Sequence, residues 1–250
     1  MGAHADRGSE FPATGTGAGD ALFRPVRAGN AFEETVERLL QSIRLGVVEA
    51  GARLPSEREL ADRLGVSRVT LREAIRALAD AGYVESRRGR YGGTFVNDIL
   101  PAPRGPVGSA PLTACALDDA LSLRYVVETG AAELAAARSL TPADRRHLTG
   151  MLADSAAADL ADYRRKDSRL HLAVAEVSAS GSLTAAMADA RMRVNELLDE
   201  IPLLEPNIEH SNTQHETIVD AILAGDPASA RQAMAEHIEG TASLLRGFLS

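Results

Sequence analysis

Apolar residues recur mostly at spacings of three and four along this chain, which is typical of amphipathic helices. Two short stripes of this kind stand close together in the N-terminal part; they consist of Leu60, Ala61 and Leu64, then Val69, Leu71, Ile75 and Leu78. Gly65, between the stripes, tolerates the positive φ that ends a helix, and Ser67 is a favoured cap for the helix that follows. The pattern predicts a helix-turn-helix.

After Gly82 the helical spacing gives way to two short runs with the residue types of strands. The first runs from Tyr83 to Ser86 and the second from Thr94 to Val96, and the basic, glycine-rich residues 87–93 separate them. We therefore expect a β-hairpin, or wing, directly after the helix-turn-helix.

From residue 117 to residue 249 the chain is rich in Ala and Leu at helical spacing. The breaks in this pattern fall at Thr141–Pro142, Ser180–Gly181, Pro202 to Pro206 and Gly225 to Pro227, with a weaker one before Tyr163. They predict about six helices. The expected fold is mostly α: an N-terminal winged helix-turn-helix with a small β wing, then an antiparallel all-helical bundle.

Composition divides the chain into four segments. Residues 1–29 are rich in Gly, Ala and Thr without a periodic pattern, and we expect a flexible tail. Residues 30–98 would form the DNA-binding domain. Residues 99–116 would form a linker, because residues 101–111 contain four prolines and two glycines. Residues 117–250 would form the helical domain.

Charge is distributed unevenly over these segments. The net charge is −8, and all of it arises from residues 99–250, where thirteen basic side chains face twenty-one acidic ones. Residues 30–98 carry eleven Arg and eleven Asp or Glu, but between Arg68 and Arg90 six Arg stand against three acids. We expect a local basic surface in an otherwise acidic protein, which favours nucleic-acid contact at one place.

Cysteine content and hydropathy favour a cytoplasmic protein without membrane contact. Cys115 is the single cysteine, so no internal disulfide can form. No apolar run approaches the ~20 residues that cross a bilayer, and residues 1–30 lack the pattern of a signal peptide.

Basic residues of the helix-turn-helix are candidates for DNA contact. Arg68 and Arg72 stand four apart near the start of the second helix, where a guanidinium can donate two hydrogen bonds to one guanine. Arg58 could reach a base or a phosphate, and Arg88 and Gly89 of the wing could enter the minor groove. An Arg-rich helix is often only a solvated face, but the order of turn, Arg-bearing helix and basic wing favours DNA binding.

Three histidines and one aspartate of the helical segment are candidate metal ligands. Asp167 and His171 are four apart and share a helical face, while His215 and His237 are twenty-two residues apart on successive helices. Three imidazoles and one carboxylate can bind Zn²⁺, Ni²⁺, Mn²⁺ or Fe²⁺. On spacing alone, ordinary hydrogen-bonded histidines are an equal alternative.

Residues 32–96 resemble the winged helix of the GntR regulators, through LPSERELA followed by GVSRVTLREAIRAL. The resemblance implies base contacts by Arg58, Arg68 and Arg72. It implies contacts with the DNA backbone or minor groove by Ser67, Thr70, Arg88 and Gly89. Many members of the family have Thr where this chain has Val69, whose methyl groups could contact a thymine methyl instead.

Residues ~117–245 resemble the FCD ligand-binding domain of the FadR branch of the same family, through LRYVVETGAAELAA, DSRLHLAVAEVSASG, QHETIVDAILAGD and AEHI. The resemblance implies that Asp167, His171, His215 and His237 ligate a divalent metal. It also implies that Arg124 faces the same cavity and pairs with the carboxylate of a small organic acid. The alternative for Arg124 is an ordinary pair with Glu128, one turn later.

These features together predict a ligand-responsive, sequence-specific DNA-binding transcription regulator. We expect a homodimer on a palindromic operator, and a repressor rather than an activator. Two alternatives concern the helical domain, which could be a metal-dependent enzyme or could hold a purely structural metal. We expect no enzyme, because the chain has no HExxH motif and no separate candidate for a general base.

Overall fold

The computed structural model describes residues 19, 22, 23, 31–89, 92–101 and 114–249. Most of the predicted tail and of the predicted linker, and residues 90 and 91 of the wing, lie outside the described residues.

The N-terminal part is a winged helix-turn-helix, as predicted. Its elements are α1 (Ala31–Arg44), α2 (Glu57–Leu64), α3 (Arg68–Asp80), β1 (Val84–Arg87) and β2 (Gly93–Val96). The two strands pair antiparallel with Val84 opposite Val96, and Arg53 adds an isolated bridge to Phe95. The wing therefore stands directly after α3 and is anchored at its base.

The turn between α2 and α3 has the geometry that its sequence predicts. Gly65 ends α2 in the left-handed region at φ +65°, and its N–H donates to the carbonyl of Ala61. Ser67 caps α3, since its hydroxyl accepts from the Thr70 N–H at 3.0 Å. This cap fixes where α3 begins and hence which side chains its first turn presents.

The apolar stripes of these helices meet in one core. Its buried members include Leu39 and Ile43 of α1, Leu60 and Leu64 of α2, Leu71, Ile75 and Leu78 of α3, and Val84 and Val96 of the wing. Because α3 uses this face for the core, its opposite face is left to solvent.

The C-terminal part is a bundle of helices whose ends follow the predicted breaks. They are α4 (Ala114–Ala137), α5 (Pro142–Ala156), α6 (Tyr163–Val177), α7 (Gly181–Leu198), α8 (Glu205–Ala224) and α9 (Pro227–Leu249). Thr141 and Asp144 form a capping box at the start of α5, and Gly225 ends α8 at φ +73°. Helix α4 packs against α6, α7, α8 and α9.

The C-terminal half of helix α6 is fully buried in the described part of the bundle. Every residue from Leu170 to Val177 is buried, so this stretch has no solvent face. Polar side chains on α6 therefore need partners inside the bundle.

Leu22 and Phe23 belong to the segment predicted as a tail, yet both are buried, at 0% and 2% exposure. Leu22 lies in the core of the bundle and Phe23 in the core of the winged helix. Burial of two successive large apolar side chains lowers the free energy of the folded state. The sequence analysis did not predict this burial, because the surrounding residues are rich in Gly and Ala. Within the described residues, none of the helices combines the length and hydropathy needed to cross a membrane.

Candidate DNA interface and candidate metal centre

The exposed face of α3 carries the candidate DNA-reading residues. Ser67, Arg68, Val69 and Arg72 are exposed and Thr70 is partly exposed. Val69 is 64% exposed, which leaves its methyl groups available for contact. Arg58 is exposed on α2. The structure thus brings the predicted base-contacting residues to the surface of the helix-turn-helix.

Glu57, at the start of α2, contacts both arginines of α3. Its Oε2 lies 2.7 Å from Nε of Arg72 and 4.0 Å from Nη2 of Arg68. The arginines are about 60% exposed, so this pairing contributes little free energy and its loss would cost little. Glu57 opens α2 next to Arg58, and nothing in the sequence pattern indicated this contact.

The wing presents its tip to solvent. Arg88 and Gly89 are exposed, and Gly89 has φ +107°, with open space where a Cβ would stand. Arg87 is held back along the strands, because its guanidinium lies 4.4 Å from the centre of the Phe95 ring and pairs with Glu85 at 2.5 Å. Among the basic side chains that the structure describes at the tip, Arg88 is therefore the one best placed to extend toward DNA.

Three helices bring the four predicted metal ligands together. Asp167 and His171 come from α6, His215 from α8 and His237 from α9. One ligand atom from each residue lies within 4.8 Å of the other three. All four residues are buried, with exposures between 1% and 7%.

Pair distances within this cluster are short. Oδ1 of Asp167 lies 3.3 Å from Nε2 of His215 and 3.7 Å from Nε2 of His171. Nε2 of His215 in turn lies 3.3 Å from Nε2 of His237. Three histidine nitrogens and a carboxylate oxygen thus lie close together.

Outer partners orient two of the imidazoles. Nδ1 of His171 lies 2.6 Å from Oε2 of Glu128, a charge contact whose angles fall short of a hydrogen bond, and Nδ1 of His237 is hydrogen-bonded to Oε1 of Gln214 at 3.1 Å. Both contacts favour a proton on Nδ1, which leaves the Nε2 lone pairs facing the cluster. This arrangement of carboxylate or amide behind an imidazole is typical of metal-binding histidines.

The two carboxylates of the site are held ionised. Burial opposes ionisation of Asp167, but the guanidinium of Arg191 outweighs it and lowers the pKa of this carboxyl far below its usual value. Burial likewise disfavours the charge on Glu128, yet His171 and Arg124 bring its pKa well below the usual range.

Burial keeps two of the histidines neutral. It lowers the pKa of His215 to about 4, despite the opposing charge of Asp167. Burial, followed by the neighbouring His215 and His171, also lowers the pKa of His237 well below its usual value. Neutral imidazoles are the form that ligates metals.

The donor set fits a divalent cation. Atoms bound 2.0–2.2 Å from one ion lie about 3.0–3.5 Å apart when adjacent, close to the separations seen here. Nε2 of His171 is buried without a hydrogen-bond partner among the described residues, so the protein alone leaves it unsatisfied. A shared cation would satisfy this nitrogen and relieve the approach of two imidazole nitrogens.

Arg124 is a buried arginine that pairs with Glu128, one turn later on the same helix. Its Nε donates to Oε1 of Glu128 at 3.1 Å, which is the intrahelical pair. The side chain is also fully enclosed beside the cluster, and its Nη1 has no hydrogen-bond partner among the described residues.

Arg191 is a second buried arginine of the site, and the sequence interpretation missed it. It donates to Oδ2 of Asp167 and to Oγ of Ser168, and its exposure is 1%. Its Nε and Nη1 have no hydrogen-bond partner within the described part of the chain. One signal was present, because Arg191 occupies a core position of the apolar stripe through Met187 and Val194.

A narrow, apolar cavity adjoins the cluster; it is lined by His171, His215, Leu170, Val174, Ile218, Val219 and Met234. Its free space is about that of one water molecule. A larger molecule would fit there only if these side chains moved.

Two family models match successive parts of the chain. Residues 32–96 match the family described as "Bacterial regulatory proteins, gntR family", and residues 119–240 match the FCD domain. A protein of Escherichia coli (strain K12), named as an L-lactate dehydrogenase operon regulatory protein, is 33% identical over 234 residues, covering 90% of this chain and 88% of that protein.

One further relative and one solved structure are similar over most of their length. The HTH-type transcriptional regulator LutR of Bacillus subtilis (strain 168) is 29% identical over 215 residues, covering 82% of this chain and 97% of LutR. Among solved structures, E. coli McbR/YncC has a TM-score of 0.55 at 20% identity, covering 87% of this chain and 98% of that chain. This last likeness concerns the fold alone.

Proposed function

The chain belongs to the GntR family of DNA-binding transcription regulators, with an FCD domain after its winged helix, and we propose that a divalent metal and a small organic acid in the FCD domain control its operator binding. The relatives compared above are named as regulatory proteins, and the proposal assigns this chain no enzymatic activity.

The observation that carries the DNA part of the proposal is the exposed first turn of α3. Arg68 and Arg72 would donate to base edges in the major groove, and Val69 would contact a thymine methyl. Arg58 of α2 would contact a base beside them. Ser67, Thr70, Arg88 and Gly89 would hold the DNA backbone or the minor groove. Operator binding would release the arginines from Glu57.

The buried cluster supports the metal part of the proposal. Asp167, His171, His215 and His237 would hold the ion, while Glu128 and Gln214 orient two of the imidazoles. A bound Zn²⁺, Ni²⁺, Mn²⁺ or Fe²⁺ would offer further coordination positions to oxygen atoms of an effector. Neutral His215 and ionised Asp167 are already in their ligating forms near neutral pH.

Charge balance supports an acid as the effector. The two buried carboxylates, Asp167 and Glu128, are matched by the two buried guanidiniums of Arg124 and Arg191. A divalent cation would add two positive charges in a buried place, which is costly unless an anion accompanies it. The unpartnered N–H groups of both arginines are suited to a carboxylate.

Operator geometry motivates the remaining parts of the proposal. A palindromic operator needs two recognition helices, so the active form would be a homodimer. The action would take place in the cytoplasm, where the DNA is, and repression is the simplest outcome of a regulator that covers its operator.

A thermal-shift screen of small mono- and dicarboxylates tests the effector part, using full-length chain stripped with a chelator and then reloaded with Zn²⁺. A carboxylate that binds should raise the melting temperature only in the zinc-loaded chain, because ligand binding stabilises the folded state. Arg124→Gln should abolish this shift while keeping the zinc. Arg138→Gln serves as the control, since Arg138 instead contacts the Val177 carbonyl.

The same screen separates the alternatives. A structural metal predicts that zinc raises the melting temperature while no carboxylate adds to it. An enzyme predicts consumption of a stabilising acid over time, which chromatography of the mixture would detect. Either result would contradict the proposed role of this site.

A further inference from the structure

The segment after α1 anchors the winged helix in the bundle. Leu45 is fully buried, and it belongs to the hydrophobic core of the bundle rather than to that of the winged helix. Val47 packs against the same bundle core, and Leu22 lies in it. These side chains link the two units, so a relative shift of the units would have to repack them.

Polar contacts extend this docking surface, by which we mean residues 38–49 together with Arg165 and Asp189. Oδ1 of Asp189 on α7 accepts from Nε2 of Gln41 at 2.9 Å and lies 3.4 Å from Nη1 of Arg38. On α6, Arg165 approaches Gly46 so closely that a Cβ on that glycine would lie 2.8 Å from the Arg165 Cγ. Both α6 and α7 therefore contact the winged helix directly.

Each of these contacts stands two residues before a member of the buried site. Arg165 precedes Asp167 on α6, and Asp189 precedes Arg191 on α7. Residues two apart in an α-helix point about 200° apart, so each helix presents one residue to the winged helix and the other to the cluster. Asp167 and Arg191 are hydrogen-bonded to each other. A rotation or slide of either helix that adjusts this pair would move the docking contacts too.

We propose that α6 and α7 transmit the state of the buried cluster to the winged helix through this docking surface. Occupation of the site by a divalent ion would reposition Asp167 and Arg191, and the shift would reach residues 38–49 through Arg165 and Asp189. This inference rests on the proposed function, because it needs a ligand in the cluster. It adds which residues carry the response, none of which is among the proposed metal ligands or DNA contacts.

Hydrogen–deuterium exchange on the full-length chain tests this, with Zn²⁺ added after chelator treatment as the probe. In the unsubstituted chain zinc should slow exchange in α6 and change exchange in residues 38–49 by about fivefold or more, the lower end of ordinary coupling. Asp189→Ala should keep the zinc content and the response of α6, while the change in residues 38–49 falls below about twofold.

Two variants serve as controls. Arg193 lies on α7, as Asp189 does, and makes an exposed contact with Asp119 of α4 at 3.2 Å. Arg193→Ala removes this contact and should respond like the unsubstituted chain. Arg38→Asp combined with Asp189→Arg reverses the ion pair and should restore most of the response that Asp189→Ala loses. This rescue distinguishes a specific contact from general damage to α7.

The outcomes separate the inference from the proposed function. If zinc protects α6 but leaves residues 38–49 unchanged, or if Asp189→Ala responds fully, the coupling is refuted while the metal site stands. If the unsubstituted chain binds no zinc, the metal part of the proposed function fails and the inference fails with it.

Discussion

Single residues determine whether the buried cluster can hold a metal, and His215 provides the most direct test. It lies 3.3 Å from both Asp167 and His237, so its removal takes away the residue that bridges the other ligands. We predict that His215→Ala lowers zinc affinity by more than the about 10–100-fold expected when an outer partner such as Glu128 is replaced by Gln. Competition with a chromophoric chelator measures both values.

His210→Ala is the matched control, since this exposed histidine stands on the same helix five residues earlier. It should bind zinc like the unsubstituted chain. Equal zinc affinity of His215→Ala and His210→Ala would contradict the assignment of the ligands.

The residue scale also shows the limit of sequence analysis. Asp167 and His171 could be paired from their spacing alone, because residues four apart share a helical face. Arg191 and Gln214 could not, since their partners lie on other helices and only tertiary packing brings them together. The roles assigned to individual DNA-contacting and metal-ligating residues stay predictions.

At the scale of elements, the turn between α2 and α3 sets the position of the DNA-reading helix. Gly65 has φ +65°, which a side chain with Cβ adopts only at a cost. We predict that Gly65→Ala lowers the free energy of unfolding by about 1 kcal/mol. Urea unfolding followed by circular dichroism measures the change.

Gly150→Ala provides a control of opposite sign. Gly150 lies inside α5 with open space around it, so Ala should raise helix stability by up to about 1 kcal/mol. The prediction for Gly65 is wrong if both substitutions stabilise the chain.

Helix ends were the most predictable elements, because local side chains produce them. Thr141 and the proline after it begin α5, and Gly225 ends α8. In both places the capping involves only neighbouring residues. Leu22 and Phe23 were not predicted as buried, since their burial depends on two cores that the local sequence does not reveal.

At the scale of the whole molecule, the buried histidines make the metal-free chain sensitive to acid. Histidine in an unfolded chain has a pKa near 6.5, whereas burial lowers the pKa of His215 to about 4. Between these values the unfolded state binds more protons than the folded state, so stability falls as the pH falls through this window.

We predict a loss of up to about 3 kcal/mol from His215 between pH 6.5 and pH 4, with a plateau for this contribution above pH 6.5. Urea unfolding of chelator-treated protein from pH 4 to pH 8 tests this. His215→Gln should flatten the curve and His210→Ala should not. A curve that His215→Gln leaves unchanged would refute the prediction.

The arrangement of the two units was the least predictable feature. Leu45 and Val47 follow a helix of the winged helix in sequence but pack against the bundle core, a contact between segments far apart in the chain. The sequence predicted both folds from local periodicity, while their docking depends on long-range complementarity that periodicity does not contain.

Selection of operator sites from random double-stranded DNA tests the central claim, that α3 reads base sequence in the major groove. The full-length chain should enrich an inverted repeat, and Arg68→Ala should relax preference at one base pair of each half-site by about 1–3 kcal/mol. Arg76→Ala, an exposed arginine two turns along the same helix, should leave that preference intact. Enrichment of the same motif with the same base preferences by Arg68→Ala and Arg72→Ala would contradict the account.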